Sequence, residues 1–141
     1  MTVPPPARAA HLRPSMLVVV AAGGTVGTAA REGLALAVPA VGGLPLAVLL
    51  INLAGAFVLG LLLEALLRLG PDTGGRRLAR LAAGTGFCGG FTTYSTLAVG
   101  AAELLRSGAT GLALGYAIGS VLLGAVAAWL GALLGSRGSR R

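Results

Sequence analysis

"GFCGGFTTYSTL", residues 86–97, lies inside a long apolar run, and its reading decides the fold. A membrane-crossing helix is most regular at mid-span. Here Gly84, Gly86, Gly89 and Gly90 crowd together instead, followed by the unbroken hydroxyl run Thr92, Thr93, Tyr94, Ser95 and Thr96. Each glycine in a helix interior costs ~1 kcal/mol against alanine, so an interruption of the helix at mid-span is expected. Backbone groups freed by such a break must be satisfied by protein, water or a bound ion, because lipid offers them nothing. Freed carbonyls beside threonine oxygens suit a hard cation, whereas hydroxyl and amide hydrogens suit an anion. The competing reading is that the glycines only allow close helix packing and the hydroxyls bond back to their own helix.

The chain around this stretch has 141 residues, of which 55% are hydrophobic and 11% charged, outside the range of an ordinary soluble domain. Apolar segments run over residues 16–38, 45–67, 79–105 and 110–134, each near the ~20 residues that cross the hydrocarbon of a bilayer. An open sheet edge would strand polar backbone in lipid, so the expected fold is an all-α membrane protein of four transmembrane helices with a broken third. Pro39, Gly42, Gly43 and Pro45 mark a tight turn between the first two spans. The organisation read from this pattern is a flexible amino-terminal tail (1–15), a four-helix unit (16–135) and a basic carboxyl-terminal tail (136–141). Arg8 and Arg13 before an apolar stretch also resemble a signal peptide, but the apolar run continues through Ala30 and the rest of the chain is itself membranous.

All eleven basic residues are arginines, and the net charge is +7. With four spans, Arg8, Arg13, Arg68, Arg76, Arg77, Arg80, Arg137, Arg140 and Arg141 fall on one side of the membrane, and only Arg31 and Arg106 near the other. The positive-inside rule then puts both termini in the cytoplasm of a plasma (inner) membrane protein. The charge argues for topology and contact with anionic headgroups. No basic patch is interleaved with aromatics, which argues against nucleic acid.

Few polar residues lie at depth, and each is a functional candidate by default. Asn52 sits about 10 Å into the second span at ~1.5 Å rise per residue, with Ala56 and Gly60 continuing its face. It reads either as a site residue or as an interhelical hydrogen bond. In the fourth span Gly111, Gly115 and Gly119 recur at the spacing that lets a partner backbone approach, and Tyr116 and Ser120 form a neighbouring polar stripe. Glu32 and Glu103 lie beside Arg31 and Arg106, while Glu64 and Asp72 lie toward the arginine-rich side, so none is an obvious mid-membrane proton carrier. Cys88 reads as a packing residue and His11 as a solvated tail residue. With no nucleophile and base pair, metal cluster or phosphate loop, an enzyme is not expected.

In order and spacing, "GGTVGTAAR" (23–31), "LPLAVLLINLAGAFVLG" (44–60), "GTGFCGGFTTYSTL" (84–97) and "LGYAIGS" (114–120) resemble the Fluc (CrcB) fluoride channels over nearly the whole chain. The resemblance implies a four-helix subunit that pairs with an inverted second subunit. The antiparallel dimer would carry two narrow fluoride pores and one central structural sodium ion held by the carbonyls of Gly89 and Thr92. Gly86, Gly89 and Gly90 would break the third helix. The pore would include Asn52, Tyr94, Ser95, Leu97, Tyr116 and Ser120. Three positions depart from the family pattern: Tyr94 stands at the first of two phenylalanine positions, keeping a ring edge and adding a hydroxyl, Leu97 stands where the second phenylalanine would present its ring edge, and Gly124 where a further serine would donate. The implied function is passive export of fluoride. The alternatives are a non-conducting partner subunit and, from another class, a small proton-coupled exporter. Because the loop charge is one-sided, the expected partner is a separately encoded homologue of opposite charge bias.

Overall fold

The computed structural model describes residues 13–137, so the tail readings for residues 1–12 and 138–141 lie outside the described residues. The described chain is helical: α1 (Pro14–Ala37), α2 (Leu46–Arg68), α3 (Gly74–Ala79), a π-helical segment (Arg80–Cys88), α4 (Gly89–Phe91), α5 (Ser95–Arg106) and α6 (Thr110–Ser136). Among the described residues the only strand-like pairing is an isolated bridge, Val41 with Leu44, across a turn in which Gly42 and Gly43 take φ of 60° and 79°. This is the expected all-α architecture of four helical passes, the third being α3, the π segment, α4 and α5 in succession. α1 starts at Pro14, two residues before the boundary drawn from hydropathy. A proline fits the first turn, where its missing N–H would have had no partner.

α2 and α6 are each long and apolar enough to cross a membrane, and in α6 only 11% of the most apolar window is buried within the chain. Ile118, Val121, Leu122, Val126 and Trp129 stand exposed along it. An apolar helix so little covered by its own chain belongs in lipid or against another subunit.

Backbone proximity through glycine holds the passes together. On the α2–α6 seam, a Cβ on Gly60 would run into the Ala128 carbonyl, and one on Gly131 into that of Phe57. On the seam between α1 and the π segment, Gly23 and Gly27 lie under the carbonyls of Ala82 and Phe87, and Gly90 under that of Gly24. Small-residue contacts of this kind are how helices associate where burying apolar surface offers no gain over lipid. The expected packing role of Gly111, Gly115 and Gly119 is not met inside the chain: a Cβ at any of the three would meet no atom within 4 Å. The seam formed by α6 uses Gly131 and Gly135 instead, on a different face.

The α2–α3 corner is fastened by charge. Arg80 donates to both carboxylate oxygens of Asp72, at 3.1 and 2.8 Å, and the loop turns through Gly70 (φ 113°) and Gly74 (φ 52°). The Arg80 hydrogen bonds, joined by the charges of Arg80 and Arg77 and opposed by desolvation, hold the Asp72 carboxyl below its ordinary range. A lowered folded-state value means that the contribution is complete above the ordinary carboxylate range and is lost as pH falls through the lowered value.

Gly131→Ala is expected to force the α2–α6 seam apart and lower stability by ~1–3 kcal/mol, the usual cost of overpacking, read as a drop in thermal midpoint in detergent. Gly33→Ala, where a Cβ meets nothing within 4 Å, is the matched control and should show no loss.

Candidate functional site

The site is built where the third pass departs from helical geometry. Thr92 is extended, with φ −79° and ψ 158°, and helix resumes only at Ser95. The glycines expected to break the helix do not. Gly86 lies inside the π segment, and Gly89 and Gly90 form the first two residues of α4, with Gly89 at φ −64° and ψ −36°. The departure falls at Thr92, Thr93 and Tyr94 instead. Gly86 and Gly90 serve close approach to α1, since a Cβ at Gly86 would come 2.7 Å from the Val20 carbonyl oxygen. Gly89 is different: it is exposed and a Cβ there would meet nothing within 4 Å.

Asn52 explains why the helix stops at Thr92. Its Nδ2 donates to the Thr93 carbonyl at 2.9 Å, and the Thr93 N–H donates to its Oδ1 at 2.8 Å. The side-chain amide thus pairs with one residue of main chain in both directions, as a strand neighbour would. In an unbroken α-helix the Thr93 N–H would have gone to the Gly89 carbonyl, four residues back. Asn52 takes that donor. Among the described residues no backbone N–H is bonded to the carbonyls of Gly89 or Thr92. Apolar contact sets the height of this pair: Phe91 is buried with Ile51 and Ala47, directly beside Asn52, and stacks on Phe87 at 5.5 Å between ring centres. Gly55, one turn along α2, leaves room for the Thr92 methyl.

The Thr93 hydroxyl begins the next helix. It accepts from the Thr96 N–H at 3.2 Å and lies 3.0 Å from the Thr96 hydroxyl and 3.2 Å from that of Ser95. This is the work of an N-cap residue, which satisfies one of the donors left over at a helix start. Sequence reasoning passed over Thr93, although a hydroxyl residue three before Thr96 at a helix start was the available signal.

Around the break a groove of about 350 Å³ is lined by Asn52, Gly55, Ala56, Leu59, Thr92, Thr93, Tyr94, Leu97, Ser120, Val121 and Gly124. Five residues to which the resemblance assigns a role, Asn52, Thr92, Tyr94, Leu97 and Ser120, therefore meet in one place. Asn52 keeps a second amide hydrogen for which no partner occurs among the described residues. Ser120 is buried and spends its hydroxyl hydrogen on the Tyr116 carbonyl at 2.6 Å. Tyr94 is 81% exposed, and Leu97 is packed at its back against Val48, Leu104, Ala113 and Tyr116. Two expected members are elsewhere. Tyr116 is turned into that core cluster, where its hydroxyl is buried without a partner among the described residues, because i and i+4 on a helix share a face only approximately. Ser95 is exposed at the start of α5 beside the Thr93 hydroxyl and lines no part of the groove.

A family model described as "CrcB-like protein, Camphor Resistance (CrcB)" matches residues 18–132, which contain every residue of the site. The chain belongs to the CrcB family. Curated CrcB relatives match along most of their own length as well. A protein of Leifsonia xyli named "Fluoride-specific ion channel FluC 2" is 46% identical over 132 residues, 93% of this chain and 91% of that one. "Fluoride-specific ion channel FluC 1" of Cutibacterium acnes is 47% identical over 119 residues, 84% of this chain and 83% of that one. "Fluoride-specific ion channel FluC" of Gloeobacter violaceus is 42% identical over 127 residues, 86% of this chain and 95% of that one. These relatives are ion channels by name, which agrees with the expectation that the chain is not an enzyme. Among the described residues no group of three or more His, Cys, Asp or Glu side chains could hold a metal ion.

Asn52→Leu keeps the volume but leaves the Thr93 carbonyl unpaired, at a cost of ~1–3 kcal/mol when buried, and releases the Thr93 N–H to the Gly89 carbonyl, so a fall in denaturation midpoint is expected. Thr93→Val, which removes only the cap hydroxyl, should cost about 1 kcal/mol in the same measurement.

Proposed function

We propose that this chain is a subunit of a passive, fluoride-selective channel through which fluoride leaves the cytoplasm down its gradient. The reading is carried by the groove at the break, in a chain matched along most of its length by proteins named as fluoride-specific channels. A small, strongly hydrated anion needs hydrogen-bond donors and positive ring edges to replace its water. The unspent Asn52 amide hydrogen and the edge of Tyr94 offer both on the groove wall. Ser120 can turn its hydrogen from the Tyr116 carbonyl toward an anion, because a hydroxyl is a rotor.

The carbonyls of Gly89 and Thr92 fit a hard cation such as sodium: neither accepts a backbone N–H, and Gly89 faces open space. When bound, sodium supplies the positive charge that satisfies these freed oxygens. A second subunit in inverted orientation completes the assembly. The exposed Tyr94 ring and the uncovered face of Gly111, Gly115 and Gly119 support an unmade contact of that kind. With nine arginines on one side against two on the other, the chain inserts one way, both termini cytoplasmic, in the plasma membrane. A chain of fixed orientation pairs with a separately encoded homologue inserted the opposite way. A second reading, a partner subunit that does not itself conduct, is favoured by Leu97 and Gly124, which put a methyl-bearing chain and no side chain where the groove would need a ring edge and a hydroxyl.

The test is fluoride efflux from liposomes, recorded with a fluoride electrode and with chloride as control, for this chain alone and with an oppositely biased homologue. Fluoride-selective efflux only in the pair is the expected result. Efflux from the chain alone would overturn the obligate partner, and no efflux from the folded pair would overturn the channel reading for this subunit.

A further inference from the structure

Four arginines, Arg68, Arg76, Arg77 and Arg80, crowd the α2–α3 corner, and two carboxylates, Glu64 and Asp72, answer them. Arg68 pairs with Glu64 at 3.3 Å, and Arg77 and Arg80 both reach Asp72, at 3.7 and 2.8 Å. Arg76 pairs with no carboxylate among the described residues. Its Nε donates to the Pro71 carbonyl at 2.9 Å, which ties the guanidinium to the loop and leaves its terminal nitrogens uncommitted. Below it opens a cleft of about 160 Å³ lined by Leu63, Leu66, Leu67, Gly70, Asp72, Arg76 and Arg80. The cleft is amphipathic. Its lining joins the leucine-rich end of a membrane-length helix, with Leu67 74% exposed, to the charged residues Asp72, Arg76 and Arg80. Asp72 is answered by Arg77 and Arg80, which leaves Arg76 as the cation of the lining that no carboxylate answers among the described residues. Membrane insertion alone asks only that arginines lie in this loop. It does not ask that one of them be fastened, unpaired, over an apolar cleft.

We propose that this corner binds the phosphate of an anionic phospholipid at the terminal guanidinium nitrogens of Arg76, with an acyl chain laid along Leu63, Leu66 and Leu67. Guanidinium suits phosphate because its planar fork can donate two parallel hydrogen bonds. The leucines choose a lipid over a soluble phosphate, since only a lipid brings an apolar chain to cover them. The site lies at the loop end of α2, away from the groove at Asn52, and its test is independent of fluoride conduction.

The test is native mass spectrometry of the full chain released from detergent after purification from membranes containing phosphatidylglycerol, comparing wild type with Arg76→Gln. Wild type is expected to retain phosphatidylglycerol in preference to phosphatidylcholine, and Arg76→Gln to lose about fivefold of that preference, equivalent to ~1 kcal/mol. Equal retention by the variant would overturn the proposal. Inorganic phosphate added in large excess should not displace the lipid; displacement would reassign the corner to a soluble anion. Should Arg76→Gln fail to fold, the wild type decides alone. Its thermal midpoint in detergent should rise with added phosphatidylglycerol and not with phosphatidylcholine, and equal shifts would sink the lipid site.

Discussion

Two hydrogen bonds between the Asn52 side chain and the Thr93 main chain organise the site. They are made at 2.9 and 2.8 Å between residues 41 apart, joining α2 to the one stretch of the third pass that is not helical. In a bilayer a backbone group that leaves its helix finds no partner in lipid, so an interruption survives only where protein, water or an ion supplies one. Asn52 supplies one acceptor and one donor at the required place. Because it takes the Thr93 N–H, the Gly89 carbonyl is left without its helical partner. One side chain therefore both stabilises the break and creates the free oxygen that a cation could use.

The surroundings of that pair follow from it. Thr93, held by its main chain, offers its hydroxyl to cap α5, so the helix after the break starts in a defined register. Thr92 lies over Gly55, and Tyr94 projects outward beside Leu97 at the rim of the groove. Glycine seams on either side bring α1 to the π segment and α2 to α6 at backbone contact. The second of these seams fixes the spacing of the two helices that carry Asn52 and Ser120 on the groove wall.

Much of this was legible in the residues. Length, composition and the apolar segments gave an all-helical chain of four passes, and the Gly-rich, hydroxyl-rich motif pointed to the third pass as the site. Three particulars were not legible, each for a physical reason. Gly86, Gly89 and Gly90 looked like helix breakers, but low helix propensity is a weak preference. Tertiary packing against α1 keeps Gly86 and Gly90 helical, and the interruption moves to the residue whose N–H has a better partner. Gly111, Gly115 and Gly119 looked like a packing stripe, yet spacing does not say which face of a helix meets its own chain and which is left for lipid or another subunit. Tyr116 and Ser120 share a spacing but not a destination, since a helix turns slightly more than once in four residues and the tyrosine ring reaches the core cluster. The Asn52–Thr93 pair itself joins distant residues, and no local pattern encodes it.

The central claim is that Asn52 frees the Gly89 carbonyl by capturing the Thr93 N–H, and an isotope-labelled carbonyl at Gly89 tests it most directly by infrared spectroscopy. In the wild-type chain the labelled band should lie at the frequency of a carbonyl without a backbone hydrogen bond. In Asn52→Leu, where the Thr93 N–H is released, it should move to the frequency of a helical carbonyl. A labelled band at the helical frequency already in the wild type, or one that does not move on substitution, would contradict the account.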